Sequence, residues 1–148
     1  MKPSTAALLA GVSITAVGVA QLVQKHRQHK QDIDSALSLI QIEWLSRASA
    51  DPLEAAFWAP EGIEPEQYQR MLSGNRMLCQ LSLRWRLGAV THRQLDLYAD
   101  KLMENATCRD YWRQFGSYRE AEALGNAKDE RFNQAMREAF DRAMRPAV

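Results

Sequence analysis

Residues 3–24 carry no formal charge, and they stand between Lys2 and the basic run Lys25-His26-Arg27-Gln28-His29-Lys30. As a helix at ~1.5 Å per residue such a stretch reaches roughly 33 Å, against a hydrocarbon core of ~30 Å. It therefore has three fates: a membrane span, a cleaved export signal, or a helix of a soluble protein. Leu8, Leu9, Val12, Ile14, Val17, Val19, Leu22 and Val23 supply its apolar surface among many small residues. Gly18-Val19-Ala20 would serve as a small-x-small cleavage site. One lysine precedes the stretch and a basic cluster follows it, an asymmetry that opposes export of the downstream flank. The expectation is a retained, single-pass transmembrane helix in the cell membrane, with residues 1–30 as anchor and flank. The C-terminal domain then lies in the cytoplasm. Lys25, Arg27 and Lys30 would meet anionic lipid headgroups, at about 1 kcal/mol per basic residue. Ala7, Gly11, Thr15 and Gly18 fall on one face, the pattern of a homodimer through the anchor.

Residues 31–148 suffice for one helical domain with a modest core. The first thirty residues hold Lys2, Lys25, Arg27 and Lys30 without an acid, so a whole-chain charge of +1 leaves −3 for the body. A body of that charge has no global attraction for nucleic acid, which is not expected as a partner. Cys79 and Cys108 are the two cysteines, and neither lies in a metal-type pairing. Segments of helical pattern usually hold such cysteines as small buried groups.

Every segment after the anchor has helical spacing and none has strand spacing. Ile33, Leu37, Ile40, Trp44 and Ala48 recur as one stripe, and no Pro or Gly separates it from the anchor. Asp51-Pro52 opens a short helix through Trp58, an N-cap followed by Pro at the first helical position. A longer helix runs from Pro65 to Leu87, with Gly88 as its stop. Thr91 and Gln94 form a capping box ahead of Leu95, Tyr98, Leu102 and Met103. Thr107 resembles a cap before Tyr111, Trp112 and Phe115. Asn126 is another, before the amphipathic run Phe132, Met136, Ala139, Phe140, Ala143 and Met144. The fold class expected is all-α: the transmembrane helix, then a compact cytoplasmic domain of five or six helices.

A helical wheel over residues 65–87 places Arg70, Ser73, Arg76, Gln80 and Arg84 toward solvent. Asn75, Ser82 and Arg86 fall in a line inside the apolar arc. Polar groups there must find partners, since an unsatisfied one costs roughly 1–3 kcal/mol and more if charged. Two readings follow. Arg86 ties helix ends together while Asn75 fixes a neighbouring loop, or the line borders a pocket for an anionic ligand or a partner's acidic side chain.

Charge is segregated along the body. Asp51, Glu54, Glu61, Glu64 and Glu66 precede Arg70, Arg76, Arg84, Arg86 and Arg93 with no mixing of sign. The two segments either pack side by side and neutralise each other, or form an electrostatic docking face. His26 and His29 have metal-ligand spacing without a third ligand. His92 stands in the second position of a capping box, and no local motif joins it to a thiol as a catalytic pair. No Gly-rich phosphate loop, zinc spacing or hydrolase elbow is present, so no catalytic residue, metal or cofactor is expected. Arg84-Trp85-Arg86 and Trp112-Arg113 have the makings of cation–π contacts.

At Asn75-Arg76-Met77, Arg84-Trp85-Arg86-Leu87-Gly88 and Arg109-Asp110-Tyr111-Trp112-Arg113 the chain resembles small actinomycete proteins grouped as a domain of unknown function. Trp44-Leu45, Asp51-Pro52 and the Phe132 segment extend the likeness over most of the sequence. The resemblance implies a membrane-anchored helical body and brings no activity. It directs attention to Asn75, Arg86 and Trp112. The function expected is a non-enzymatic, membrane-tethered module that binds another protein in a regulatory role. The alternative is a sensor or enzyme for a small anionic molecule around Arg86, with Ser82, Asn75, Arg84 and Trp112 beside it.

Overall fold

The computed structural model describes residues 3–145, with side chains described from residue 19 onward. Six helices follow one another, and no strand occurs among the described residues. The first, α1, runs unbroken over Pro3–Ala50, through the basic run, as the lack of Pro and Gly there predicts. Asp51 caps α2 (Pro52–Trp58) by accepting from the Leu53 amide at 2.9 Å. The long helix α3 (Pro65–Arg86) closes on Gly88, whose φ of +74 suits a residue without Cβ.

The Thr91 capping box opens α4 (His92–Met103), with the Thr91 amide donating to Gln94 Oε1 at 2.9 Å. Helix α5 (Ala106–Ala123) begins earlier than expected. Asn105, not Thr107, is its cap and accepts from the Thr107 amide at 2.8 Å. The Arg109 guanidinium secures this junction by donating to the carbonyls of Met103 and Glu104, both at 2.7 Å. Helix α6 (Ala127–Ala143) starts from Asn126, which accepts from the Lys128 and Asp129 amides.

By its contacts the chain divides into two units, Met1–Leu37 and Ser38–Val148. Within the second, Leu78, Leu81, Trp85, Leu95, Met103, Trp112, Phe132 and Met136 form the main core between α3, α4, α5 and α6. A smaller cluster joins Leu45 and Ala48 of α1 to Ala55 of α2 and Leu72 of α3. The α1 stripe thus holds at Trp44 and Ala48 and is corrected before them. Leu45 is 1% exposed while Ile40 is 64% exposed, because α2 and α3 meet the Leu45–Ala48 side of the helix. In the first unit Ile33 and Leu37 are exposed.

Gly74 does not split α3. It lies where α5 crosses, and a Cβ there would meet the Thr107 carbonyl oxygen at 2.7 Å.

Among the described residues no helix is long and apolar enough to cross a membrane. The anchor expectation, and with it the face of Ala7, Gly11, Thr15 and Gly18, rests mostly on residues 3–18, outside the described side chains.

A candidate binding cleft around Arg119

Helix α5 turns one face inward, and Cys108, Tyr111, Trp112, Gly116 and Ala123 are buried along it. Arg119 falls on the same face, four residues before Ala123. Its Nη1 donates to Asn75 Oδ1 at 3.1 Å and reaches the Tyr111 hydroxyl at 3.4 Å and Cys79 Sγ at 3.9 Å. The guanidinium also stands 6.0 Å from the ring centroids of Tyr111 and Phe132. Among the described residues no carboxylate forms an ion pair with it. Its Nε is buried without a hydrogen-bond partner. Burial opposes the Arg119 charge, but Tyr111 and Cys79 favour it more, and the guanidinium is held above its ordinary range. Burial pushes the Tyr111 hydroxyl up, with Arg119 pulling the other way. A charged donor thus sits in a low-dielectric setting beside a cleft, where it interacts with an anion far more strongly than in water.

Two cavities meet at this side chain, and Gln41 and Glu122 line both as well. The first, about 300 Å³, lies between α3 and α6 and is bordered by Cys79, Ser82, Arg86, Asp129 and Asn133. The second, about 290 Å³, is bordered by Asn75, Tyr68, Met71, Tyr111 and Phe115. Asn133 is buried and its Nδ2 donates to the Arg119 carbonyl at 2.9 Å, which fixes the orientation of its amide. Its Oδ1 is left buried and unpartnered. One orphan donor and one orphan acceptor therefore belong to residues on the walls of one cavity. Volumes of this size stand at the lower end of small-ligand sites.

The residues singled out by sequence divide around this centre. Ser82 is buried and borders the first cavity, and Asn75 is half-buried and borders the second. Arg86 is not sealed in the core. It lies in the last turn of α3, 43% exposed, and its Nε donates to Asp129 Oδ1 at 2.7 Å. Lys128 donates to the Arg86 carbonyl at 2.9 Å, and Trp85 Nε1 donates to the Lys128 carbonyl at 2.8 Å. Arg86 thus ties the end of α3 to the start of α6, while still bordering the cleft.

Arg84 stands elsewhere, exposed and 5.6 Å from the Tyr98 ring centroid. It edges an apolar groove with Met77, Leu81 and Leu102. Trp112 is 5% exposed and lies in the core, where a Cβ at Gly116 would strike its ring. Lys25, Arg27 and Lys30 are exposed on α1.

Sequence reasoning missed Arg119, although Tyr111, Phe115, Arg119 and Ala123 recur every four residues. The wheel that drew attention to Asn75, Ser82 and Arg86 would have found it on α5.

Arg76 also departs from the expected solvent face: it is half-buried and donates to Ser46 Oγ at 3.2 Å. The acidic segment does not neutralise the basic one through ion pairs. Among the described residues Glu54, Glu61, Glu64 and Glu66 form none. Both cysteines are free thiols, and His92 lies edge-on to Trp85 at 4.9 Å. Among the described residues no cluster of His, Cys, Asp and Glu comes together that could hold a metal ion.

No curated protein and no solved structure matches this chain. Residues 3–147 match the model described as "Family of unknown function (DUF6082)", and the chain belongs to that family.

Proposed function

We propose that this is a membrane-tethered helical protein that acts by binding, and that its body receives a small anionic molecule at Arg119. The observation that carries the reading is a largely covered guanidinium that borders a polar cleft and, among the described residues, forms no ion pair with a carboxylate. Tyr111, Cys79 and Asn75 surround the guanidinium with polar groups, and a bound anion would add the full opposite charge that none of them, lacking a carboxylate, supplies. Arg86 adds a second guanidinium at the rim, already engaged by Asp129.

The test is thermal unfolding of the full chain in nonionic detergent micelles, against phosphate, sulfate, and short mono- and dicarboxylates. At least one class raises the melting temperature, and Arg119→Met removes the rise. A flat response to every anion, or an equal response from Arg119→Met, defeats the reading.

The tether is proposed from residues 3–24 and the basic run after them, with the body on the cytoplasmic side. The exposed Lys25, Arg27 and Lys30 are available to anionic headgroups. Release of the full chain from vesicles by alkaline carbonate would remove that part of the proposal.

A second reading, docking of another protein, draws on α2. Leu53 is 83% exposed and Phe57 79% exposed beside the unpaired Glu54, an apolar and acidic surface. Basic partners fit it better than the Arg70–Arg84 face, where Arg76 is already engaged. Charge reversal at Glu54, Glu61 and Glu64 should lower recovery of a specific partner, and unchanged recovery counts against this surface.

A further inference from the structure

The first cavity carries more than an anion site. Arg119 Nε is a buried donor without an acceptor, and Asn133 Oδ1 is a buried acceptor without a donor. The hydrogen bond from Asn133 Nδ2 to the Arg119 carbonyl, 2.9 Å, establishes that the orphan end of this amide accepts. Glu122 lines the same cavity and makes no ion pair among the described residues. Asp129, which also lines it, is engaged by Arg86. A simple anion answers the guanidinium but meets Glu122 with like charge.

We infer that the ligand is a zwitterion of amino-acid type, with its carboxylate toward Arg119 and its ammonium group toward Glu122. An ammonium group has three donors and no acceptor, which suits a carboxylate without an ion-pair partner. A carboxylate accepts from a guanidinium with charge-assisted geometry. The cavity, about 300 Å³, leaves room for a modest side chain as well as the two charged groups. Leu83 and Phe132 offer that side chain an apolar wall.

The inference rests on Arg119 being an anion site, and the experiment separates the two claims. Thermal unfolding of the full chain in nonionic micelles compares three trios: L-alanine, propionate and ethylamine; L-leucine, 4-methylpentanoate and isoamylamine; L-phenylalanine, 3-phenylpropionate and phenethylamine. At a hundredfold excess over Kd, one amino acid should raise the melting temperature by on the order of 10 °C. Its deaminated and decarboxylated analogues should do far less.

Glu122→Gln alters an exposed side chain, so the fold is kept. It should bring the amino acid's shift down toward that of its carboxylate analogue. Carboxylates that match their amino acids overturn the zwitterion and leave the anion site standing. Amines that match their amino acids overturn both claims, and so does a chain that responds to nothing. A Glu122→Gln variant that keeps the full preference for the amino acid overturns the ammonium half of the assignment.

Discussion

Replacement of Arg119 by Met separates a binding guanidinium from a structural one. The change removes the charge-assisted bond to Asn75 Oδ1 at 3.1 Å, a loss of about 1.5–3 kcal/mol. The contacts to Tyr111 at 3.4 Å and Cys79 at 3.9 Å are long, and their loss adds to this side. Ring contacts at 6.0 Å with Tyr111 and Phe132 add about 0.5–1 kcal/mol each. Against this, the unpaired Nε–H no longer has to be buried, which returns about 1–3 kcal/mol. The guanidinium no longer has to leave water, a cost of several kcal/mol in real proteins. Asn75 Oδ1 keeps the Cys79 thiol as a donor at 3.4 Å.

The two sides nearly cancel. Arg119→Met should unfold within about 1 kcal/mol of the parent chain, or be more stable, when no ligand is present. Urea unfolding in nonionic micelles, followed by tryptophan fluorescence, measures the difference directly. A loss of more than about 3 kcal/mol is what a broken buried ion pair produces, and it would make Arg119 a structural tie.

Gly74→Ala should destabilise the chain, although alanine gains about 1 kcal/mol over glycine within an ordinary helix. The added methyl meets the Thr107 carbonyl oxygen at 2.7 Å, backbone against backbone, and overpacking of that kind costs about 1–3 kcal/mol. A rise in the thermal midpoint would show that α3 and α5 do not approach so closely. Burial pushes the Cys108 thiol up from 9.0 to about 11, with Arg109 weakly opposing. The folded chain then holds a proton that the unfolded chain releases, so this stability is complete below pH 9 and is lost as pH rises through about 11. The unfolding free energy from urea titrations should fall between pH 9 and 11, by up to about 1.4 kcal/mol per pH unit. Cys108→Ala should flatten that fall, and parallel profiles would refute the assignment.

Helix starts were legible wherever a local side chain makes the cap. Asp51, Thr91 with Gln94, and Asn126 act within three residues of themselves, and each does what its position in the sequence implies. Thr107 misled because Asn105 stands two residues earlier and is an equally good acceptor. Burial was harder to read, since it depends on which helix lies across which. Arg86 shares a wheel position with Asn75 and Ser82, yet it is in the last turn of α3 and runs out toward solvent. Arg119 sits among Tyr118, Glu120 and Glu122 and looks like part of a solvated surface. Its surroundings come from Asn75, 44 residues away, and from Asn133 on α6. No single segment contains that site.

Cys79 borders the cleft beside Arg119, and the only other thiol, Cys108, is 0% exposed. Cyanylation of the unmodified sequence would therefore install one nitrile, at the wall of the cavity. Its stretching frequency responds to local electric field and shifts when a neighbouring cation is neutralised. The natural polypeptide so carries its own spectroscopic window onto whatever enters.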